Sequence, residues 1–419
     1  MPSSPSAFEA APTKLVRDRV TIATYLMAIL WGWFVMSIGP ATSRITEQFD
    51  VSRGVGGLHG TGIAVGIIAA GFISPHLVRH FGRRALMLAG SITMAVGVIT
   101  LISVPSIFVT IPAVTIVGVG GTVIMNVAQP ALQVHHGAGG PSAVIEANAG
   151  SAIIGIFGPL AVGGAVALGW GWQPALAITL IFVVIAFMVM FPLPTRGALD
   201  GRTAKKKTTD KAPTETVTKT DTKKRPYAPA LWFYIIAITT GVAVEFSTSF
   251  WASDLIAEQT GSSAGTSTAT VSALFGGMAI ARIIGGPISL RFSAAKLMIL
   301  AFVVAFAGWL LLWTSQATVV AFIALVLTGV GFGLHYPLGA ALVMRASEGR
   351  PDAGQAVAAI TTGAAVGLAP YALGALSDVF GIHKAFIVVP VLVIIGGCAT
   401  YFGMLNENQR ARSLSKQSV

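Results

Sequence analysis

Two ionisable side chains stand in the middle of long apolar runs of this chain, Glu245 in GVAVEFSTSFW and Arg282 in GGMAIARIIGG. A charge at the centre of a bilayer costs roughly 2.5–3.5 kcal/mol on insertion scales, so such residues are kept where they bind, pair or move charge. The planar fork of Arg282 suits the carboxylate or phosphate of a solute. The other reading is structural: the guanidinium bonds backbone carbonyls and locks its helix, and the flanking glycines admit a neighbour closely. Glu245 is the natural proton carrier, a carboxyl that can load and release a proton. Its alternative is a permanently neutral acid bonded to Ser247 or Thr248. At 1.5 Å per residue, Arg282 lies roughly 13 Å in from Arg291 and Glu245 about 24 Å beyond Pro229, leaving roughly 10 Å of depth between them. Independent roles, or a link through water or substrate, fit that gap better than a direct ion pair.

Other polar groups could complete a cavity. Asn126 and Gln129 are three apart and share one helix face, and His335 is followed by Tyr336. These four could hydrogen-bond a solute, or equally join helices to one another. Glu146 lies within a turn of a helix end, can reach water, and is the next acid to consider. Trp31, Trp33 and Phe34, with Phe250 and Trp251, line the path or anchor their helices at the membrane interface. His59 with His76, and His135 with His136, are not at metal-site spacing and have no acidic cluster beside them, so no metal or cofactor is expected. No nucleophile stands at a useful spacing from a base, which disfavours an enzyme.

The elements that must position these groups are helices in a membrane. Hydrophobic residues make up 54% of the 419 positions and charged residues 10%, a balance that an ordinary water-soluble domain does not show. Apolar runs of about 20 residues, each long enough to cross a bilayer, recur twelve times between residues 20 and 404. The polar start leads straight into the first run, so no cleaved signal peptide is expected. The single cysteine, Cys398, excludes an intrachain disulfide.

With the N-terminus inside, the cytoplasmic side receives Lys14, Arg17, Arg19, Arg79, Arg83, Arg84, every basic residue from Arg196 to Arg225, Arg291, Lys296, Arg345, Arg350, Arg410, Arg412 and Lys416. Only Arg44, Arg53 and Lys384 fall outside, and Arg282 remains in between. This bias places both termini in the cytoplasm, most naturally of a bacterial cell membrane. The net charge of +11 is therefore a topology signal, and its dispersal over loops argues against nucleic acid.

The polar segment from Gly197 to Pro226, rich in Lys, Thr and Asp, reads as a disordered linker and divides the runs six and six. The expected organisation is a tail over 1–19, a six-helix half over 20–193, a basic cytoplasmic linker over 194–229, a second half over 230–404 and a tail over 405–419. The halves align at a constant offset of 211: Gly66 with Gly277, Phe81 with Phe292, GVG at 118 with GVG at 329, Pro159 with Pro370, and Gly163 with Gly374. One register held across four helices indicates two related halves. In carriers, such halves face each other across a site near the midplane and rock to alternate access.

Here the chain resembles the major facilitator superfamily over nearly its whole length. The family's loop motif after helix two is similar to PHLVRHFGRR, where Phe81, Gly82, Arg83 and Arg84 agree and Pro75 and Arg79 replace the glycine and the acid. The second copy, GPISLRFSAAK, keeps Gly286 and Arg291, with Leu290 at the acid position. The resemblance implies gating-loop roles for Gly82, Arg83, Arg84, Gly286 and Arg291, and a monomer. GVGFGLHYPLG and GVAVEFSTSFW look like the branch that includes fucose permease.

The expected fold is thus an all-α membrane protein of twelve transmembrane helices in two pseudo-symmetric halves. The expected function is secondary active transport of a small organic solute, anionic or polar, by alternating access coupled to protons. A cation at the centre favours anionic cargo, whereas an exporter of cationic drugs more usually places acids there. Proton-antiport export of drugs or metabolites is the competing expectation, and a membrane sensor or scaffold a distant one.

Overall fold

A computed structural model of the chain describes residues 15–201, 229–289, 291–347 and 351–417. Leu290, Arg350, Lys14 and most of the basic linker lie outside the described residues. Twelve described helical spans are long and apolar enough to cross a membrane. They are α1 (Arg19–Phe49), α2 (Arg53–Phe81), α3 (Arg83–Ser103), α4 (Ile107–His136), α5 (Gly140–Gly155 continued by Phe157–Ala167) and α6 (Gln173–Met190) in the first half. The second half holds α7 (Pro229–Thr260), α8 (Ala264–Thr270 continued by Ser272–Ser289), α9 (Ala294–Trp313), α10 (Thr318–Ala346), α11 (Pro351–Phe380) and α12 (Ile382–Ala385 continued by Val388–Gln417).

The helices begin where short polar side chains can take the first free amides. Asp18 caps α1 at Thr21, Ser52 caps α2 at Val55, Ser263 caps α8 at Thr266 and Ser293 caps α9 at Lys296. Gly82, at φ +82°, makes the turn between α2 and α3 that an L side chain would strain.

The repeat read from the sequence is a repeat of packing. Gly66 of α2 lies against Thr115 and Val119 of α4, and Gly277 of α8 lies against Val326 and Val330 of α10, each pair shifted by 211. Gly120 meets Gly90 and Met94 of α3, and Gly331 meets Ala301 and Ala305 of α9. At each of these positions an added Cβ would fall against a backbone atom of the neighbouring helix, so the same spacing of glycines builds the same crossing twice.

The halves meet at two seams that exchange under the same shift. In one, Gly374 of α11 lies against Arg53 and Gly54 of α2; in the other, Gly163 of α5 lies against Gly265 of α8. These contacts sit at the end opposite the chain termini, the far end. Every hydrogen bond between described residues of the two halves belongs to that side, the deepest being Thr61 Oγ1 to the Gly367 carbonyl at 2.6 Å. Toward the end that carries the termini, the tail end, Gly71 of α2, Gly276 of α8 and Gly363 of α11 have open space where a Cβ would stand. The halves are joined at the far end and part toward the tail end.

The start of the linker differs from the expected disordered segment. Gly197–Leu199 forms a 3-10 turn whose Ala198 and Leu199 are buried. It docks on the loop motif, with Arg83 Nη1 donating to the Ala198 carbonyl at 3.0 Å.

Candidate functional site

Helix α10 is the spine against which both α7, carrying Glu245, and α8, carrying Arg282, are packed. Its Gly333 lies against Met278 and Ala281 of α8, one turn or less from Arg282. Its His335 and Gly339 lie against Gly241 and Ile238 of α7, on the face that carries Glu245 one turn farther on. Around α8, at 100° per residue, Ile280, Ile283, Ile284 and Ile288 form an exposed apolar face. Arg282 points to the opposite side and is nevertheless exposed, which places it in the space between the halves.

Neither charge is neutralised by a direct partner. Among the described residues Arg282 makes no ion pair or hydrogen bond, and neither does Glu245, although the guanidinium is close enough to act on the half-buried carboxylate. The hydroxyls of Ser247 and Thr248 are buried without any partner, so they do not hold Glu245 as a bonded neutral acid. Sequence spacing placed Glu245 in the outer half of the membrane. Because α7 runs on to Thr260, the residue lies at the helix middle, and its depth offset from Arg282 shrinks to roughly 5 Å at 1.5 Å per residue.

The remaining expected ligands divide. Tyr336 is 45% exposed and sits three residues from the Gly333 contact, on the open side of α10. His335 points the other way: it is 0% exposed and stacks on Phe302 of α9 at 4.0 Å between ring centroids. Its ring belongs to the interior of the second half and does not reach the opening. In the first half Asn126 is exposed and donates to Ser74 Oγ of α2 at 3.3 Å, and Gln129 is half-buried on the same face. The structure records no contact between these two and Arg282.

The aromatic residues are packing elements. Trp33 donates to the Ala175 carbonyl at 3.3 Å, Trp251 to the Pro370 carbonyl at 2.8 Å, and Phe34 and Phe250 are fully buried; only Trp31 is half-exposed. Glu146 is bound at the tail end to Arg17 at 2.6 Å and to the Tyr25 hydroxyl at 3.0 Å. His59 is buried between the Gly56 carbonyl and Thr110 Oγ1, and His135 pairs with Asp18 at 2.8 Å.

The loop motif works inside the first half. Arg84 donates to the carbonyls of Met190 and Phe191 at the end of α6 and lies over the Phe191 ring, filling acceptors that a helix C-terminus leaves free. Gly82 and Arg83 carry the start of the linker. Gly286 lies within α8 and Arg291 is exposed just beyond it.

Sequence reasoning missed a second charged cluster, at the far end. Asp254 of α7 accepts from Arg44 of α1 at 3.1 Å and from Arg53 of α2 at 2.8 Å, and Arg44 also pairs with Glu47 at 2.6 Å. Asp378 of α11 accepts from the backbone amides of Arg53 and Gly54, both at 2.8 Å. A signal was present: Arg44 and Asp254 are 210 apart, one short of the repeat, which sets related helix ends face to face.

With this geometry in place, known proteins can be compared. Residues 24–275 and 245–418 match the family model of the Major Facilitator Superfamily, so the match covers nearly the whole chain. The chain belongs to the major facilitator superfamily. No curated protein sequence matches it significantly. Among solved structures, a bacterial homolog of the human lysosomal transporter Spinster, in an inward-facing and occupied conformation, superposes with a TM-score of 0.69 at 14% identity, covering 94% of this chain and 98% of that one. The xylose transporter XylE from E. coli, in a partially occluded inward-open conformation, gives 0.69 at 13% identity over 92% and 97%. The nucleoside transporter NupG gives 0.66 at 15% identity over 93% and 98%. At these identities the likeness establishes the facilitator fold, and with the family it makes the chain an integral membrane carrier built for secondary transport.

Proposed function

We propose that this facilitator carries a small anionic or polar organic solute and couples its movement to protons. The observation that carries the reading is Arg282, an exposed guanidinium turned into the opening between the halves with no partner among the described residues. An unpaired fork at that place gains most from a carboxylate or phosphate. Tyr336, exposed on α10, is a candidate to assist it, with Asn126 and Gln129 the candidates on the opposing half. His335 supports α10 from behind. Glu245, free of hydrogen bonds and electrostatically linked to Arg282, is suited to exchange a proton as the anion arrives or leaves. The bias of Lys and Arg toward the tail end supports a cytoplasmic position for that end, and with it an inward-open carrier of a bacterial cytoplasmic membrane. Gly82, Arg83, Arg84, Gly286 and Arg291 then flank its cytoplasmic mouth.

Solute counterflow in proteoliposomes tests the assignment, with candidate carboxylates and sugars loaded inside. Glu245→Gln is expected to keep exchange without a pH gradient and to lose proton-driven accumulation, because an amide cannot release a proton. Accumulation by Glu245→Gln equal to that of the parent overturns the coupling role.

A further inference from the structure

The far-end charges are arranged unequally. Both acids, Asp254 and Asp378, stand on the second half, and all their partners, Arg44, Arg53 and the first amides of α2, stand on the first. Under the 211 shift, Ser43 takes the place of Asp254 and Ala167 the place of Asp378. The related seam between α5 and α8 therefore has no equivalent, and Ala167 merely touches Gly265 there.

We propose that Asp254 and Asp378 are the latch that keeps the far end shut, and that their release on the α2–α11 side is what opening to the far side requires. Ser52 caps α2 at Val55, so the amides of Arg53 and Gly54 depend on the carboxylate of the other half. Asp378 is a helix cap supplied across the interface, and parting the halves uncaps α2.

Asp254 and Arg44 are both buried, with side-chain exposures of 7% and 5%. When the halves part, Arg44 retains Glu47 on its own helix, and the partly exposed Arg53 meets water. Asp378 also loses both of its partners, but it is exposed and meets water; only Asp254 loses both partners from a buried position. The electrostatic cost of opening falls on that one carboxylate, so removing its charge removes most of the hold. The latch rests on the alternating-access reading above, but its test needs no solute, so the cargo assignment can fail without it.

The experiment uses the full chain with Cys398→Ser and one reporter, Ser43→Cys. Ser43 is fully buried at the far end and lies 3.0 Å from Ser253. Alkylation by a membrane-impermeant maleimide is expected to run about tenfold faster in Asp254→Asn/Asp378→Asn than in the parent, as for a shift of a two-state equilibrium. Asp254→Glu, which keeps the charge, should restore slow alkylation. Should the double variant fail to fold, Asp378→Asn alone, with Asp254 intact, should give a smaller acceleration. Thr266→Val, in the α5–α8 seam, should leave the rate unchanged. Equal rates in the parent and the folded Asp variants, or the same acceleration from Thr266→Val, overturn the latch.

Discussion

The α2–α11 and α5–α8 seams are the same contact built twice, and they have been finished differently. Both rest on glycines that bring backbones together, Gly54 with Gly374 and Gly265 with Gly163. The first is then closed by charge, through Asp378 on the α2 amides and Asp254 on Arg53. The second has no charged group in its lining and retains a groove of about 380 Å³ lined by Leu160, Gly163, Ala167, Thr266, Thr270 and Phe322, among others. Close glycine contact holds two halves together without saying when they should part. Charge adds a hold that can be switched, because a carboxylate losing its partners must find water or a proton.

The largest expected effect comes from removing the shared acid. Asp254→Ala leaves Arg44 buried with only Glu47, and breaking a buried ion pair in this way costs about 3 kcal/mol. Thermal unfolding in detergent should show that loss, while Thr266→Ala in the other seam stays within about 0.5 kcal/mol, as surface changes do. Equal losses at both seams would erase the distinction between them.

A smaller effect sharpens what the seams share. An alanine at Gly374 meets the Arg53 carbonyl, and one at Gly163 meets the Gly265 carbonyl. Overpacking costs about 1–3 kcal/mol, so Gly374→Ala and Gly163→Ala should lower the unfolding midpoint by similar amounts. If only one does so, the repeat is a likeness of sequence without equal packing.

What could be read from the sequence follows from what a linear pattern contains. The glycine register that predicted two halves is a packing instruction, so Gly66 and Gly277 could be matched before their neighbours were known. Asp254 and Asp378 escape a hydropathy reading because they lie in the last turns of their helices, where α7 continues to Thr260 and α11 to Phe380. Hydropathy marks where a helix leaves hydrocarbon, and these helices continue past that point to meet partners from the other half. His335 was misplaced for a different reason. On a helix apolar all round, adjacent residues such as His335 and Tyr336 give no signal of which faces the opening. The polar composition of the linker's start gives no sign that it packs, but Arg83 needs an acceptor and the Ala198 carbonyl supplies one.

The smallest predicted effect lies at the tail end, where charges act within one half. Burial acts to raise the Asp18 carboxyl, but hydrogen bonds from Thr21 and His135 outweigh it and hold the group below its ordinary value. A depressed acid stabilises fully above its unfolded pKa of about 3.9 and loses that contribution as pH falls through its folded value. Asp18→Ala should therefore cost about 1 kcal/mol at neutral pH, as a lost helix cap does, and the gap from the parent should close as pH falls through the depressed folded value. Unfolding midpoints across pH check this; a gap that persists in acid would show that the side chain acts by packing.

The central claim is that Arg282 grips an anionic cargo in the opening between the halves. Ligand-induced thermal shift of the purified protein tests it most directly, with a set of carboxylates, phosphates and neutral sugars applied to the parent, Arg282→Lys and Arg282→Ala. An anionic solute should stabilise the parent, stabilise Arg282→Lys only at higher concentration because the bidentate fork is gone, and leave Arg282→Ala unmoved. A solute that shifts the parent and a folded Arg282→Ala equally would contradict the account and leave the arginine as a lock on α8.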